Sequence, residues 1–417
     1  MGLYFGKPWF KLLKTYWRYA NLIYDYCIVG AGIIGISTAY QLMNKYPKAK
    51  IILVEKEKQA AIHQTGRNSG VVHAGIYYKS GSLKSSFCIQ GLKETYQFAE
   101  QYSIPFKKIG KLIVATNDHE SSVLENLYQN RKDELNLKLL SEAQVTSIEP
   151  HLRSSLAILS PETGIIDWQE FAQTVLKIAR DRGVKLLTNA YVTHIDESSK
   201  YVEIKILNDV KKIRTKKLIC CAGLQSDRLM KLSGLQSNVR IIPFKGTYFY
   251  LNQDKSNLFK KLIYPTPNLG TPFLGIHFTK HINGSVSVGP SASLSFTREG
   301  YNGFSLNFKD TADIFFYKGF WKFLINQKKF IVNEAMIAFS KKLYLDQCKK
   351  FYDGLSLSDI HYSKCGIRAQ AVDQDGNFVQ DFFFAKTEKI LHVLNAPSPA
   401  ATSCFPISKY IIKNQLI

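Results

Sequence analysis

The chain has 417 residues, long enough to bury a large core divided between two domains. Its 45% hydrophobic and 13% aromatic content excludes an intrinsically disordered chain. Lys+Arg number 55 against 33 Asp+Glu, a formal charge of +22 that draws a protein toward nucleic acid, anionic lipid or anionic substrates. No zinc-finger pattern, RNA-binding signature or arginine-rich tract points to nucleic acid, so no nucleic-acid partner is expected. Plentiful Ile, Asn, Tyr, Phe and Lys explain part of the excess as compositional drift toward lysine. The seven cysteines (Cys27, Cys88, Cys220, Cys221, Cys348, Cys365, Cys404) form no C-x-x-C pair and are odd in number. That favours reduced, mostly buried thiols in a cytosolic setting, with no metal site.

Residues 1–23, MGLYFGKPWFKLLKTYWRYANLI, contain no acid. Lys7, Lys11, Lys14 and Arg18 recur at steps of four, three and four, which is one helical stripe. Trp9, Phe10, Leu12, Leu13, Tyr16 and Trp17 fill much of the remaining circumference. The pattern predicts an amphipathic basic leader that lies on a membrane surface, its rings among the headgroups. Cations interrupt every apolar run, so it is neither a spanning helix nor a signal-peptide core. A mitochondrial targeting segment and a helix packed on its own protein are the alternatives.

From Tyr24 to Gly35 the chain reads YDYCIVGAGIIG, an apolar strand entering Gly30-x-Gly32-x-x-Gly35. A helix-compatible stretch runs to Lys45, and a second apolar strand, KIILVE, ends at Glu55. Gly30 permits the tight turn, Gly32 admits a pyrophosphate to the backbone, and Gly35 allows close helix–strand packing. The helix N-terminus offers N–H groups to the phosphates, and Glu55, twenty residues beyond Gly35, suits ribose hydroxyls. An acid there repels a ribose phosphate, which disfavours NADP. Strand, glycines, helix, strand and acid in register predict dinucleotide binding without separating FAD from NAD.

Further blocks follow in order: VEKE (54–57), HQTGRNSGVVHAGIYY (63–78), GKLIVAT (110–116), TGIIDW (163–168), CAGLQSDR (221–228) and IPFKGTY (242–248). After them come IYPTPN (263–268), PFLGIHFT (272–279), SVSVGPSA (285–292), REGY (298–301), GIRAQAVD (366–373) and NAPSPAATS (395–403). With these blocks the chain resembles the FAD-dependent L-2-hydroxyglutarate dehydrogenase/oxidase family of the D-amino-acid-oxidase-like flavoproteins, from Tyr24 to the C-terminus. The resemblance implies a Rossmann-like α/β FAD-binding domain and an α+β substrate domain with an antiparallel sheet. Segments 24–107, 163–235 and 360–417 are expected to build the first, and 108–162 and 236–359 the second. It also implies non-covalent FAD and a substrate such as L-2-hydroxyglutarate or a similar hydroxy-dicarboxylate.

On this resemblance the segment after Glu55 and Lys56 passes under the flavin. Gly66 and Gly70 would let the backbone approach the ring, with Thr65, Asn68 and Ser69 as short polar partners. Val192 would meet the adenine, and Ala222 and Gly223 would close over the cofactor, with Asp227 beside them or capping a helix. Near the C-terminus Pro397 stiffens a turn whose N–H groups, from Ala400 through Ala401 to Thr402, would reach the flavin's carbonyl edge. Arg368, in GIRAQ, matches the group's carboxylate-binding arginine, and Arg298 or Lys245 would serve a second carboxylate. His73 and His277 are the candidate bases, since imidazole titrates near working pH. Tyr77, Tyr248 and Tyr264 would bond substrate oxygens or line the pocket. Arg67 departs from the family, which has histidine in that slot. A permanent cation there would bind pyrophosphate, raise the flavin potential, or mark altered activity.

Oxidation of the hydroxy acid with electrons passed to membrane quinone is the leading expectation. Discharge to oxygen, a related amino-acid or glycerol-phosphate flavoenzyme, and a non-enzymatic flavin-binding protein are the alternatives. The expected location is cytoplasmic and peripheral on the inner membrane face, or mitochondrial in a eukaryote.

Overall fold

The computed structural model describes residues 22–207, 212–267, 273–303 and 305–414. The basic leader expected at 1–23 lies outside the described residues apart from Leu22 and Ile23, and Ile23 already opens the first strand. That strand, β1 (Ile23–Val29), runs through the turn at Gly30 into helix α1 (Ile33–Lys45) and returns as β2 (Ile51–Val54). β2 is buried throughout, which is why it reads as an unbroken apolar run rather than an alternating one.

β1 pairs in parallel with Lys212–Cys220 on one side and β2 on the other, and β2 pairs with Lys185–Leu187. The far edge of Lys212–Cys220 is shared. Its first half pairs antiparallel with Val202–Ile206, itself bonded to Val192–Glu197, and its second half pairs in parallel with Ile390–Asn395. Adding Phe383–Lys386 gives eight strands. Helices Trp168–Asp181 and Cys404–Asn414 join α1 over one face, where Ile36, Leu42, Phe171, Val175, Ile407 and Ile411 share a core. Asp167 starts the first of these helices by accepting from the Gln169 and Glu170 N–H groups.

A second sheet of nine strands is mainly antiparallel and centres on β3 (Arg240–Leu251) and β4 (Ile360–Val372). These two pair along their whole length, from Arg240 with Val372 to Leu251 with Ile360. Residues 360–372 therefore run in this sheet, which corrects the expectation that 360–417 belong with the first set of segments. No local signal decides the matter, because the partner that takes up the N–H and C=O groups of β4 is remote in sequence. Lys111–Ala115, Leu156–Ser160, Leu262–Pro265, His277–Lys280 and Val286–Gly289 lie in the same sheet. Four helices, α2 (Phe308–Phe315), α3 (Lys318–Asn326), α4 (Lys328–Phe339) and α5 (Lys341–Lys349), follow one another beside it. Phe320 and Phe323 of α3 pack on Ile242, Phe244 and Val372 of the two long strands.

Candidate active site

A cavity with room for about 490 Å³ of water is lined from both sheets, within the range of small-molecule sites. One end is built by the β1–α1 turn. Gly30 has φ +102°, and a Cβ there would sit 2.3 Å from the Cys221 carbonyl oxygen. At Gly35 a Cβ would sit 1.9 Å from the Gly30 oxygen, so this glycine serves packing and does not line the cavity. Gly32 is different. Its φ is −78°, a Cβ would meet only Thr65 Oγ1 at 3.5 Å, and it lines the cavity. Protein packing does not require glycine there; a group approaching from the cavity would. Thr65 Oγ1 accepts from the Ile33 N–H at 3.0 Å. Glu55 is buried at the end of β2, its carboxylate accepting from the Ala31 N–H at 2.7 Å and the Glu57 N–H at 3.0 Å. Each carboxylate oxygen keeps a lone pair for a ribose hydroxyl. Val192 and Lys56 line the same end, and Lys56 is paired with Glu299 at 2.8 Å.

Thr65, Arg67, Asn68 and Ser69 line the cavity together with Ala222, Gly223, Pro397, Ala400 and Ala401. Gly66 and Gly70 do not line it, which corrects their expected role. A Cβ on Gly66 would meet the Ala61 oxygen at 2.8 Å and one on Gly70 the Ile166 oxygen at 2.9 Å, so both serve close packing of the loop. Asn68 ties that loop together, donating to the Gln64 and Thr65 carbonyls and accepting from the Gly70 N–H. The Ala400 N–H is committed to the Pro397 oxygen at 2.9 Å. Thr402 stands outside the wall, and its Oγ1 accepts from the His73 N–H at 3.1 Å.

At the other end stand His73, Tyr248, Tyr264, His277 and Arg368. His73 lies deep in the molecule with part of its surface open to the cavity, and its carbonyl accepts from the Cys88 thiol at 3.2 Å. Burial, then Lys111 and then His277, push its pKa down to about 3. His277 Nδ1 lies 2.9 Å from the Gly275 carbonyl, and the ring is stacked on Tyr264. Its pKa also falls to about 3, through burial first and then Arg368 and Lys111, despite the opposing pull of the carbonyl. Both imidazoles are neutral at working pH. Arg368, on β4, bonds the Ser291 carbonyl at 3.0 Å through one nitrogen and lies 5.0 Å over the Phe273 ring. Tyr77 is half-buried and does not line the cavity.

Two expected carboxylate binders are elsewhere. Arg298 is buried and grips Asp227 with both terminal nitrogens, one at 3.0 Å, while its backbone N–H bonds Asp310 at 2.7 Å. It lies outside the cavity wall, its two terminal nitrogens taken up by a buried carboxylate. Asp227 is thus an ion-pair partner, neither a cofactor contact nor a side-chain helix cap. Lys245 points at the Gly300 and Gly303 carbonyls and is likewise outside the wall.

Lys111 was missed. It opens the strand Lys111–Ala115, is 1% exposed, and its ammonium lies 4.6 Å from the Tyr77 ring and 4.9 Å from the Tyr264 ring. Burial lowers its pKa to about 7. The signal was one cation at the head of the apolar run in GKLIVAT. Arg67 sits with its guanidinium 3.9 Å over the Tyr301 ring and donates to the Ile62 carbonyl, still at the cavity wall.

One turn glycine, Gly32, that packing does not require, a buried ribose-type acid, and neutral histidines with a half-buried arginine at the far end are the site of a flavin-dependent redox enzyme. The wall fits FAD: Gly32, Glu55 and Val192 would serve the nucleotide, and the small residues Ala400 and Ala401 would leave room for the ring. Residues 25–413 match the model of the FAD dependent oxidoreductase family, and the chain belongs to that family. It is 40% identical to the mitochondrial L-2-hydroxyglutarate dehydrogenase of Nematostella vectensis, across 93% of this chain and 89% of that one. Identity to L-2-hydroxyglutarate dehydrogenase of Escherichia coli K12 is also 40%, across 94% and 92%. The fold resembles L-alpha-glycerophosphate oxidase from Mycoplasma pneumoniae, solved with FAD bound, at TM-score 0.77, with 22% identity and 94% of each chain covered.

Proposed function

We propose that this chain oxidises L-2-hydroxyglutarate to 2-oxoglutarate and passes the electrons to a membrane quinone. The observation that carries the reading is likeness, along nearly the whole chain, to enzymes named for that substrate. FAD, when bound, would supply a two-electron acceptor for the Cα hydrogen. The β1–α1 turn would hold its pyrophosphate and Glu55 its ribose. Arg368 fixes one substrate carboxylate with a planar fork, which orients the Cα–H bond as well as attracting the anion. The hydroxyl proton passes to a neutral histidine. His277 is favoured, because a carbonyl against Nδ1 leaves the Nε2 lone pair free to accept it. Loss of that proton and the hydride leaves the 2-oxo acid.

Quinone rather than oxygen is supported by the apolar, basic composition of residues 1–23. No described helix is long and apolar enough to cross a membrane, so the association in this reading is peripheral. The setting is the inner membrane face of a bacterium, or the mitochondrion in a eukaryote. Anaerobic mixing of FAD-loaded protein with L-2-hydroxyglutarate, its D-isomer and L-malate tests the reading. Oxidised-flavin absorbance should be lost with the first alone; bleaching by none of the three would reject it.

A further inference from the structure

Ten of the seventeen large apolar or aromatic side chains exposed among the described residues fall between Leu306 and Leu343. The most exposed are Phe316 at 91%, Phe308 at 85%, Phe339 at 80% and Ile325 at 71%. Helical spacing groups them. Trp321 and Ile325 stand four apart on α3, and Val332, Met336 and Phe339 follow at steps of four and three on α4. Phe315, at the end of α2, touches Trp321 with ring centres 5.5 Å apart, so the helices share the patch. The opposite side of α3 is already satisfied by Phe320 and Phe323 in the core. Exposed apolar surface concentrated in this way marks an interaction site.

Charge identifies the partner. Residues 306–350 hold nine lysines and four acids. Three of the acids are already paired: Asp310 with Arg228 and the Arg298 N–H, the exposed Asp313 with Arg228, and Glu334 with the Ala292 N–H. Lys309, Lys318, Lys328, Lys329, Lys341 and Lys342 are exposed around the apolar side chains. Rings and aliphatic groups bordered by unopposed ammonium groups match the headgroup region of an anionic bilayer, where rings insert and lysines meet lipid phosphate.

We propose that the face formed by α2, α3 and α4 docks this protein on anionic phospholipid, separately from residues 1–21. Docking here needs no substrate, so its failure and failure of the proposed oxidation are distinguishable. The FAD-loaded full chain would be sedimented with vesicles of phosphatidylcholine alone or with phosphatidylglycerol added, at low and high salt. Binding should require the anionic lipid and weaken with salt. Two variants should each lower it about tenfold or more. One is the triple Phe316→Ser, Trp321→Ser, Phe339→Ser; the other is Lys328→Glu, Lys329→Glu, Lys341→Glu, which spares the apolar groups should the first misfold. Brominated lipid should quench an emission component that Trp321→Phe lacks. Wild-type binding by both variants, or no binding of the native chain to anionic vesicles, would overturn the proposal. So would a dimer that the triple variant dissociates while vesicle binding persists, since the face would then belong to a second copy.

Discussion

The imidazole of His277 lies flat on the phenol ring of Tyr264, with ring centres 4.0 Å apart and planes 18° from parallel. Stack and Gly275 carbonyl together hold one orientation and one tautomer. His277→Ala is expected to slow flavin reduction by roughly 10²- to 10⁴-fold, measured by anaerobic stopped flow. Tyr264→Phe keeps the stack and should change the rate far less than Tyr264→Ala. Equal loss in both tyrosine variants would assign the hydroxyl, and not the ring, the main role.

Neutral histidines set the pH dependence. With both pKa values pushed down to about 3, the acid limb of kcat/KM for the free enzyme should lie well below the usual imidazole range. A dianionic substrate stabilises the imidazolium, so the limb in kcat should move to higher pH. A limb near the ordinary imidazole pKa in both profiles would contradict this.

Arg368→Lys keeps a charge but loses the fork. A lost charge-assisted bond of about 1.5–3 kcal/mol corresponds to roughly a 10- to 150-fold fall in kcat/KM. The loss should be smaller for L-2-hydroxyglutarate analogues lacking one carboxylate.

Arg298 is a structural partner of Asp227, so its loss should act on stability. Arg298→Met leaves a buried carboxylate unpaired and should destabilise by about 3–5 kcal/mol in urea unfolding. Adding Asp227→Asn should recover part of that. Substrate KM in the surviving folded fraction should stay near wild type.

Lys111→Met should stabilise the fold. Burial lowers the Lys111 pKa from 10.5 to about 7, so between those values the unfolded chain holds a proton that the folded chain does not. Stability therefore falls as pH drops through that window, on the order of a few kcal/mol by its lower end. The variant should gain little near pH 10.5 and most near pH 7. Removing the cation should also raise the His73 and His277 pKa values, measurable in the kcat/KM profile.

Arg67 puts a permanent cation on the cavity wall, stacked on Tyr301. Arg67→His should lower the flavin midpoint potential, with about 30 mV for each 1.4 kcal/mol of lost stabilisation of the reduced form. An unchanged potential would leave the stack on Tyr301 as the residue's whole role.

The nucleotide end was legible in the sequence because its requirements are local. Gly30, Gly32 and Gly35 answer to backbone geometry within one turn, and Glu55 to the end of the next strand. Residue order alone also carried the family, through a dozen blocks whose sequence no short-range constraint would preserve by chance. The far end was legible in residue type but not in position. Arg298, Lys245 and Arg368 are all cations in blocks that resemble the family, and nothing local says which finds a carboxylate of its own chain. Only the packed structure commits Arg298 to Asp227, turns Lys245 to the Gly300–Gly303 loop, leaves Arg368 at the cavity, and buries Lys111 between two tyrosines. It also moved β4 into the second sheet. Charge pairing and strand pairing join residues remote along the chain, so tertiary structure decides them.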